Sequence, residues 1–477
     1  MMHSTKKTGL LLGPLLFFII QFSPITLVSA KADAVIAVAI WMVLWWVTET
    51  VNIAVTALLP LILFPLLKVM EIADVGANYG SPIIFLFFGG FVLALALEKV
   101  NLHKRIALNI VKLTGTTPNK VVLGFMIATA LMSMWISNTA STVVMLPIAI
   151  SVIRLLINDK DGFTKADKNF ALSIMLGIAF AANAGGIATV IGTPPNSVLI
   201  GLLENQYNIQ ISFLTWMSFG LPFSIIMVTA VYFVLVKLMF PCKDIVFTSS
   251  ENVIEEEIEK LGKISKEEKR VLTIFAVTVF LWITRTIINS ALPGLKLSDT
   301  IISLMGAVSL FAIPMNFKKG NFILQWKDTE KLAWGILILF GGGLALAKGM
   351  DSSGLVALIT DTIAAGDFNS LATVSLLIIL MLFMTELMSN VALVAVLAPV
   401  VAGIAIGLNI PILNVLIPVT MASSCAFMLP MATPPNAIVF ASGYVKVNQM
   451  VRAGILLNLI AVGLLILYYQ FVIPLFV

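Results

Sequence analysis

Ser133-Met134-Trp135-Ile136-Ser137-Asn138-Thr139-Ala140-Ser141-Thr142 stands at the centre of residues 121–157, a stretch between Lys120 and Arg154 that is otherwise almost wholly apolar. Polar side chains in the middle of such a segment are costly in lipid unless they face protein, water or a ligand. As helix, each arm of about 16 residues extends roughly 24 Å. That reaches the middle of a ~30 Å hydrocarbon core but falls short of the ~20 residues of a full span. Basic residues at both ends put both on the cytoplasmic face. The stretch predicts a re-entrant hairpin that presents Ser, Asn and Thr near the bilayer midplane.

The pattern returns 252 positions later as Thr385-Glu386-Leu387-Met388-Ser389-Asn390-Val391. At that offset Ser137 falls on Ser389, Asn138 on Asn390, Pro147 on Pro399, and Phe88-Gly89-Gly90 on Phe340-Gly341-Gly342. A second motif follows each hairpin, Gly192-Thr193-Pro194-Pro195-Asn196 and Ala432-Thr433-Pro434-Pro435-Asn436, offset by 240. The polar loop Asn158 to Asn169, cut to a turn near Leu408 to Pro411, accounts for the 12 lost positions. Trp46-Val47-Thr48-Glu49-Thr50 is echoed more loosely by Trp282-Ile283-Thr284-Arg285-Thr286, at an offset of 236. Doubling of this kind predicts a duplicated transporter fold.

Composition agrees. With 60% hydrophobic and 11% charged residues among 477 and a mean hydropathy of +1.06, a soluble globular protein is excluded. The net charge of +5 is scattered along segment ends, which does not suit nucleic acid. Cys242 and Cys425 have no pairing or metal spacing, and His3 and His103 make no metal pattern. There is no nucleotide loop or catalytic triad, so an enzyme is not expected.

Outward from the hairpins, residues 1–32 form a first span; its end, Val28-Ser29-Ala30, also resembles a signal-peptide cleavage site. The first repeat, 33–240, holds spans at 33–50, 52–68 and 81–99, a basic amphipathic stretch 98–112, the hairpin 121–157, a broken span 170–203 and a span at 213–240. Residues 241–270 form a charged cytoplasmic link, expected as a solvated helix. The second repeat, 271–477, holds spans at 271–290, 298–316 and 332–350, the hairpin 370–408, a broken span 412–443 and a last span 452–476. With the N-terminus cytoplasmic and the C-terminus outside, 24 of the 29 Lys and Arg lie on the cytoplasmic side. The bias survives only if each hairpin returns to its own side. The expected fold is an all-α polytopic membrane protein with about eleven transmembrane helices plus two re-entrant hairpins. Each repeat has an odd number of crossings, so the repeats are inverted and their hairpins enter from opposite faces.

At a Thr-Pro-Pro break the missing amide hydrogens and the ring clashes unwind the helix and free carbonyls inside the membrane. Those carbonyls, with Ser, Thr and Asn oxygens, suit a hard monovalent cation such as sodium. Half-helix N-termini suit an anion.

These motifs resemble the divalent anion/sodium symporter (DASS) family, which includes INDY-type sodium-coupled di- and tricarboxylate and sulfate carriers. The resemblance covers essentially the whole chain after the first span. It implies a homodimer of elevator-type transporters in the inner (plasma) membrane, coupled to sodium ions. It implies a first sodium site from Ser133, Ser137, Asn138 and the backbone at Gly192, and a second from Thr385, Asn390 and the backbone at Met388 and Ala432. Substrate carboxylates are expected at Ser137, Asn138, Thr139, Thr193, Ser389, Asn390, Thr433 and Pro434, with Val391 beside them. The family often repeats Ser-Asn-Thr in both hairpins, whereas here the second ends in Val391 and lacks one hydroxyl. The expected function is symport of sodium with a C4-dicarboxylate such as succinate or malate, or with citrate. Sodium-independent exchange and sodium/sulfate symport are the alternatives. Glu386, opposite Met134, is expected as a structural acceptor for nearby backbone, or else as a protonatable coupling group. Glu49 and Arg285 are expected at span ends as anchors.

Overall fold

The computed structural model describes residues 4–24, 26–115, 117–157, 164–241, 250–316 and 321–476. Cys242, His3 and the start of the loop at Asn158 lie outside the described residues. The chain is almost entirely helical; a two-stranded ribbon, Pro314–Asn316 with Asn321–Phe322, is its one short departure among the described residues. Eight of the described helices are long and apolar enough to cross a membrane. Large apolar side chains such as Phe280, Ile287 and Leu459 stand exposed on them, as a lipid-facing surface requires.

Both hairpins form. Pro118–Ser133 and Asn138–Ile157 are joined by a four-residue tip, and Ser370–Met384 and Asn390–Gly407 by a five-residue one. Pro118 sits in the first turn, where a missing N–H costs nothing. The broken spans are Lys165–Gly186 with Pro194–Tyr207, and Ile412–Ser423 with Pro434–Ala441. A Thr164/Asp167 capping box starts the first of them. In both, the Pro-Pro pair opens the second half-helix directly after the unwound loop.

The packing is crossed. Each hairpin lies on its own broken span, but Pro434–Ala441 packs on Asn138–Ile157 and Pro194–Tyr207 packs on Asn390–Gly407. Further out, Pro82–Lys99 packs on Asp299–Ala312 from the second half of the chain. Its counterpart Trp334–Ser352 packs on Ile53–Thr56, Leu59–Leu66 and Ile72–Tyr79. The looser echo at Trp46 and Trp282 is also structural. Each indole is buried, and each donates to a carbonyl at the start of the next helix, Ile53 at 3.1 Å and Asp299 at 3.0 Å. Arg285 ties its helix to Asp299 at 3.0 Å, while Glu49 is an exposed residue in a left-handed turn.

Two expectations need correction. The stretch 52–68 is two short helices, broken at Ala57 and Leu58 just before Pro60, rather than one span. The link is not merely solvated. Its helix Ser250–Leu261 docks on the amphipathic helix Leu102–Thr114 through Lys104–Glu257 (2.8 Å) and Lys112–Glu255 (2.9 Å), with Ile254 buried beneath. Arg105 reaches past its end to the carbonyls of Leu261 and Gly262 and to Glu268.

Candidate functional site

The two hairpin tips build the same oxygen cluster. The Ser133 hydroxyl lies against Asn138 Oδ1 and 2.7 Å from the carbonyl of Ala182. The Thr385 hydroxyl lies 2.7 Å from Asn390 Oδ1 and 2.7 Å from the carbonyl of Ser423. In each cluster three oxygens meet around a single hydroxyl hydrogen, a surplus of lone pairs that a hard cation satisfies. Gly186 makes room for the first cluster, since a Cβ there would sit 2.5 Å from Asn138 Oδ1. Gly192 packs back on Gly186, where a Cβ would meet the Gly186 carbonyl at 2.5 Å.

Each unwound loop is held by its own asparagine. Asn196 Nδ2 donates to the carbonyls of Thr189 (2.9 Å) and Gly186 (3.4 Å), and Asn436 Nδ2 to those of Leu429 (3.1 Å) and Ala426 (3.1 Å). These pairs match at the 240 offset. The loop is also tied to its hairpin tip, by different chemistry in each half. Thr189 Oγ1 donates to the Met134 carbonyl at 2.5 Å. In the second half Glu386, 3% exposed, accepts from the amides of Phe427, Met428 and Leu429 at 2.9–3.0 Å and from Asn458 Nδ2 at 2.7 Å. Glu386 is therefore a structural acceptor for the second loop.

The remaining candidates divide between caps and lining. Ser137 is exposed and accepts from the Ala140 amide at 3.1 Å, capping its helix. Ser389, half-buried, begins its helix without a side-chain cap. Thr193 is buried at the head of Pro194–Tyr207 with no side-chain cap, whereas Thr433 accepts from the Asn436 amide. Thr139 is half-buried, Pro434 is exposed, and Met388 and Ala432 are buried beside their tip and loop. Val391 is half-buried and packs against the apolar core. Four helices of eight residues or more begin at Asn138, Asn390, Pro194 and Pro434, and they pack crosswise in pairs, Pro434–Ala441 on Asn138–Ile157 and Pro194–Tyr207 on Asn390–Gly407. Each end carries the positive end of a helix dipole, although at Pro434 the two prolines have no N–H and the Asn436 amide is already taken by Thr433.

The tips differ in a further respect. Trp135 is clamped between Phe213 (5.9 Å) and Phe275 (5.1 Å), and Phe213 stacks on Trp282 at 4.6 Å. Leu387, at the matching place, is exposed. Two residues of the site escaped the sequence reading. Asn183 bridges the broken spans and Asn458 braces Glu386; each is a lone amide in an apolar run, which was the signal available.

Known proteins resemble this chain over nearly its full length. The family described as "Sodium:sulfate symporter transmembrane region" matches residues 4–477. The sodium-dependent dicarboxylate transporter SdcS of Staphylococcus saprophyticus is 39% identical over 476 residues, covering 98% of this chain and 92% of that one. SdcS of Staphylococcus aureus strain USA300 is 38% identical over 478 residues, covering 98% and 91%. Among solved structures the YdaH transporter of Alcanivorax borkumensis superposes with a TM-score of 0.56 at 14% identity, over 84% of this chain and 88% of that one, a likeness of fold. The doubled hairpins, the broken spans and these matches together make the chain a member of the sodium:sulfate symporter family of membrane transporters.

Proposed function

We propose that the chain is a sodium-coupled symporter that carries a divalent organic anion, a C4-dicarboxylate such as succinate or malate, across the cytoplasmic membrane. The observation that carries this is the twin oxygen cluster, Ser133 with Asn138 and Thr385 with Asn390, each beside an unwound loop. Two sodium ions sit at these clusters, completed by backbone at Gly192 and at Met388 and Ala432. The anion lies between them, on Ser137, Asn138, Thr139, Thr193, Ser389, Asn390, Thr433 and Pro434, where four helix N-termini and two cations supply positive potential without a Lys or Arg. That relatives of this length and identity are named sodium-dependent dicarboxylate transporters supports the choice of ion and anion. Hairpins and broken spans form one moving body, the outer spans a scaffold, and two copies a homodimer. Eleven crossings with the N-terminus inside and the C-terminus outside complete the arrangement.

The test is uptake of labelled succinate into proteoliposomes under a sodium or a potassium gradient. Uptake should require sodium, and Asn138→Ala and Asn390→Ala should each reduce it at least about a hundredfold, as loss of a charge-assisted contact to both ion and anion implies. Equal uptake in potassium would replace symport by exchange. Competition by sulfate above that of any dicarboxylate would move the chain to sulfate, the anion in the family's description.

A further inference from the structure

Thr433 is held by two donors. Its hydroxyl oxygen accepts from Asn183 Nδ2 at 3.0 Å and from the Asn436 amide at 3.3 Å. A threonine oxygen has two lone pairs and one hydrogen. With both lone pairs facing N–H groups, the hydrogen has to point elsewhere. Among the described residues no acceptor for it lies within hydrogen-bonding distance, and Thr433 is 4% exposed at the head of Pro434–Ala441.

The orientation of Asn183 is not free to reverse. Its Nδ2 also faces the Ala426 carbonyl at 3.2 Å, which can only accept, and Asn436 Oδ1 at 3.3 Å. Asn436 is itself oriented by two carbonyls, so the oxygen it turns toward Asn183 is fixed as an acceptor. Turning the Asn183 amide over would set oxygen against two acceptors that have no hydrogen to give, the Ala426 carbonyl and Asn436 Oδ1. Asn183 is 1% exposed and lies in the first repeat, whereas everything it donates to lies in the second. At the 240 offset its place is taken by Ser423, whose hydroxyl turns back to the Thr420 carbonyl, so Thr193 has no equivalent partner.

We propose that Asn183 is a positioning residue which locks the Thr433 hydroxyl as a hydrogen-bond donor to the transported anion. The inference rests on the substrate site given under Proposed function. A threonine free to rotate offers an anion its hydrogen only part of the time. One with both lone pairs occupied offers it always and repels a neutral acceptor–donor group that would need a lone pair. Asn183 thereby sets the preference for a fully ionised carboxylate without touching it, and does so from the opposite repeat.

The experiment is a double-mutant cycle of Asn183→Ala and Thr433→Ala on succinate KM in proteoliposomes, with sodium dependence measured in parallel. Each single variant should raise succinate KM about tenfold to a hundredfold, the loss of one hydrogen bond to a charged group, with the sodium dependence unchanged. In the Thr433→Ala background, Asn183→Ala should add less than about threefold. Independent multiplication of the two effects would show that Asn183 acts structurally and overturn the proposal. So would a Thr433→Ala variant with unaltered succinate KM, which decides the matter even if Asn183→Ala and the smaller change Asn183→Ser fail to fold. Absence of succinate uptake by the unmodified protein would instead overturn the proposed function.

Discussion

Four donors converge on the Glu386 carboxylate, three of them backbone amides of a loop that no helix satisfies. Glu386→Ala leaves all four buried and unpaired, so it should cost at least about 3 kcal/mol. Glu386→Gln returns one oxygen but turns an amide donor toward other donors, so it should fall in between. Thermal unfolding in detergent measures this; a Glu386→Ala protein as stable as the parent would mean that the loop finds its partners elsewhere. The sequence makes Glu386 visible because it stands opposite Met134, and a backbone acceptor was among the roles its residue type allowed. Which amides it meets was not legible, because Ser424 to Thr433 is an aperiodic loop. Asn183 was hidden for another reason: within Ala-Ala-Asn-Ala-Gly-Gly nothing local tells which way its amide faces or that its partners lie some 250 positions on.

Among the elements, helices were the easiest to find, since apolar runs, Pro at first turns and capping boxes mark them directly. The docking of Ser250–Leu261 was harder, because a run of Glu then Lys looks the same whether it faces water or a basic helix. The structure pairs it with Leu102–Thr114 across Lys104–Glu257. Hydrogen bonds from Lys104 and then Lys260 hold the Glu257 carboxyl below its ordinary value. A carboxylate lowered in the folded state stabilises above its unfolded value of about 4.3, and that contribution is lost as pH falls through the folded value. Docking should therefore be constant from about pH 5 to 8 and loosen only on stronger acidification. Half-exposed surface pairs of this kind contribute about 1 kcal/mol each, so Lys104→Glu should loosen the helix without unfolding the protein. Amide hydrogen exchange over residues 250–261 reads both outcomes; protection unchanged by Lys104→Glu would leave Ile254 and Arg105 as the real anchors.

For the molecule as a whole, the inversion expected from an odd number of crossings per repeat predicts that the hairpins open to opposite sides. Single cysteines at Thr117 and Asn369, the exposed starts of the two hairpins, test this in a background lacking Cys242 and Cys425. A membrane-impermeant thiol reagent should reach Thr117→Cys only from the cytoplasmic side and Asn369→Cys only from outside. Labelling of both from one face would overturn the arrangement. The doubling was legible from matched offsets alone, but the crossed partnership was not, since offsets say which segments are equivalent and nothing about which ones touch. Crossing has a price in time. The first hairpin ends at Ile157, but the helix that covers its returning arm begins at Pro434. At a synthesis rate of roughly 5–20 residues per second, the ribosome needs about 14–55 s to deliver those intervening residues. Throughout that interval the returning arm Asn138–Ile157 lacks one of the helices that pack on it.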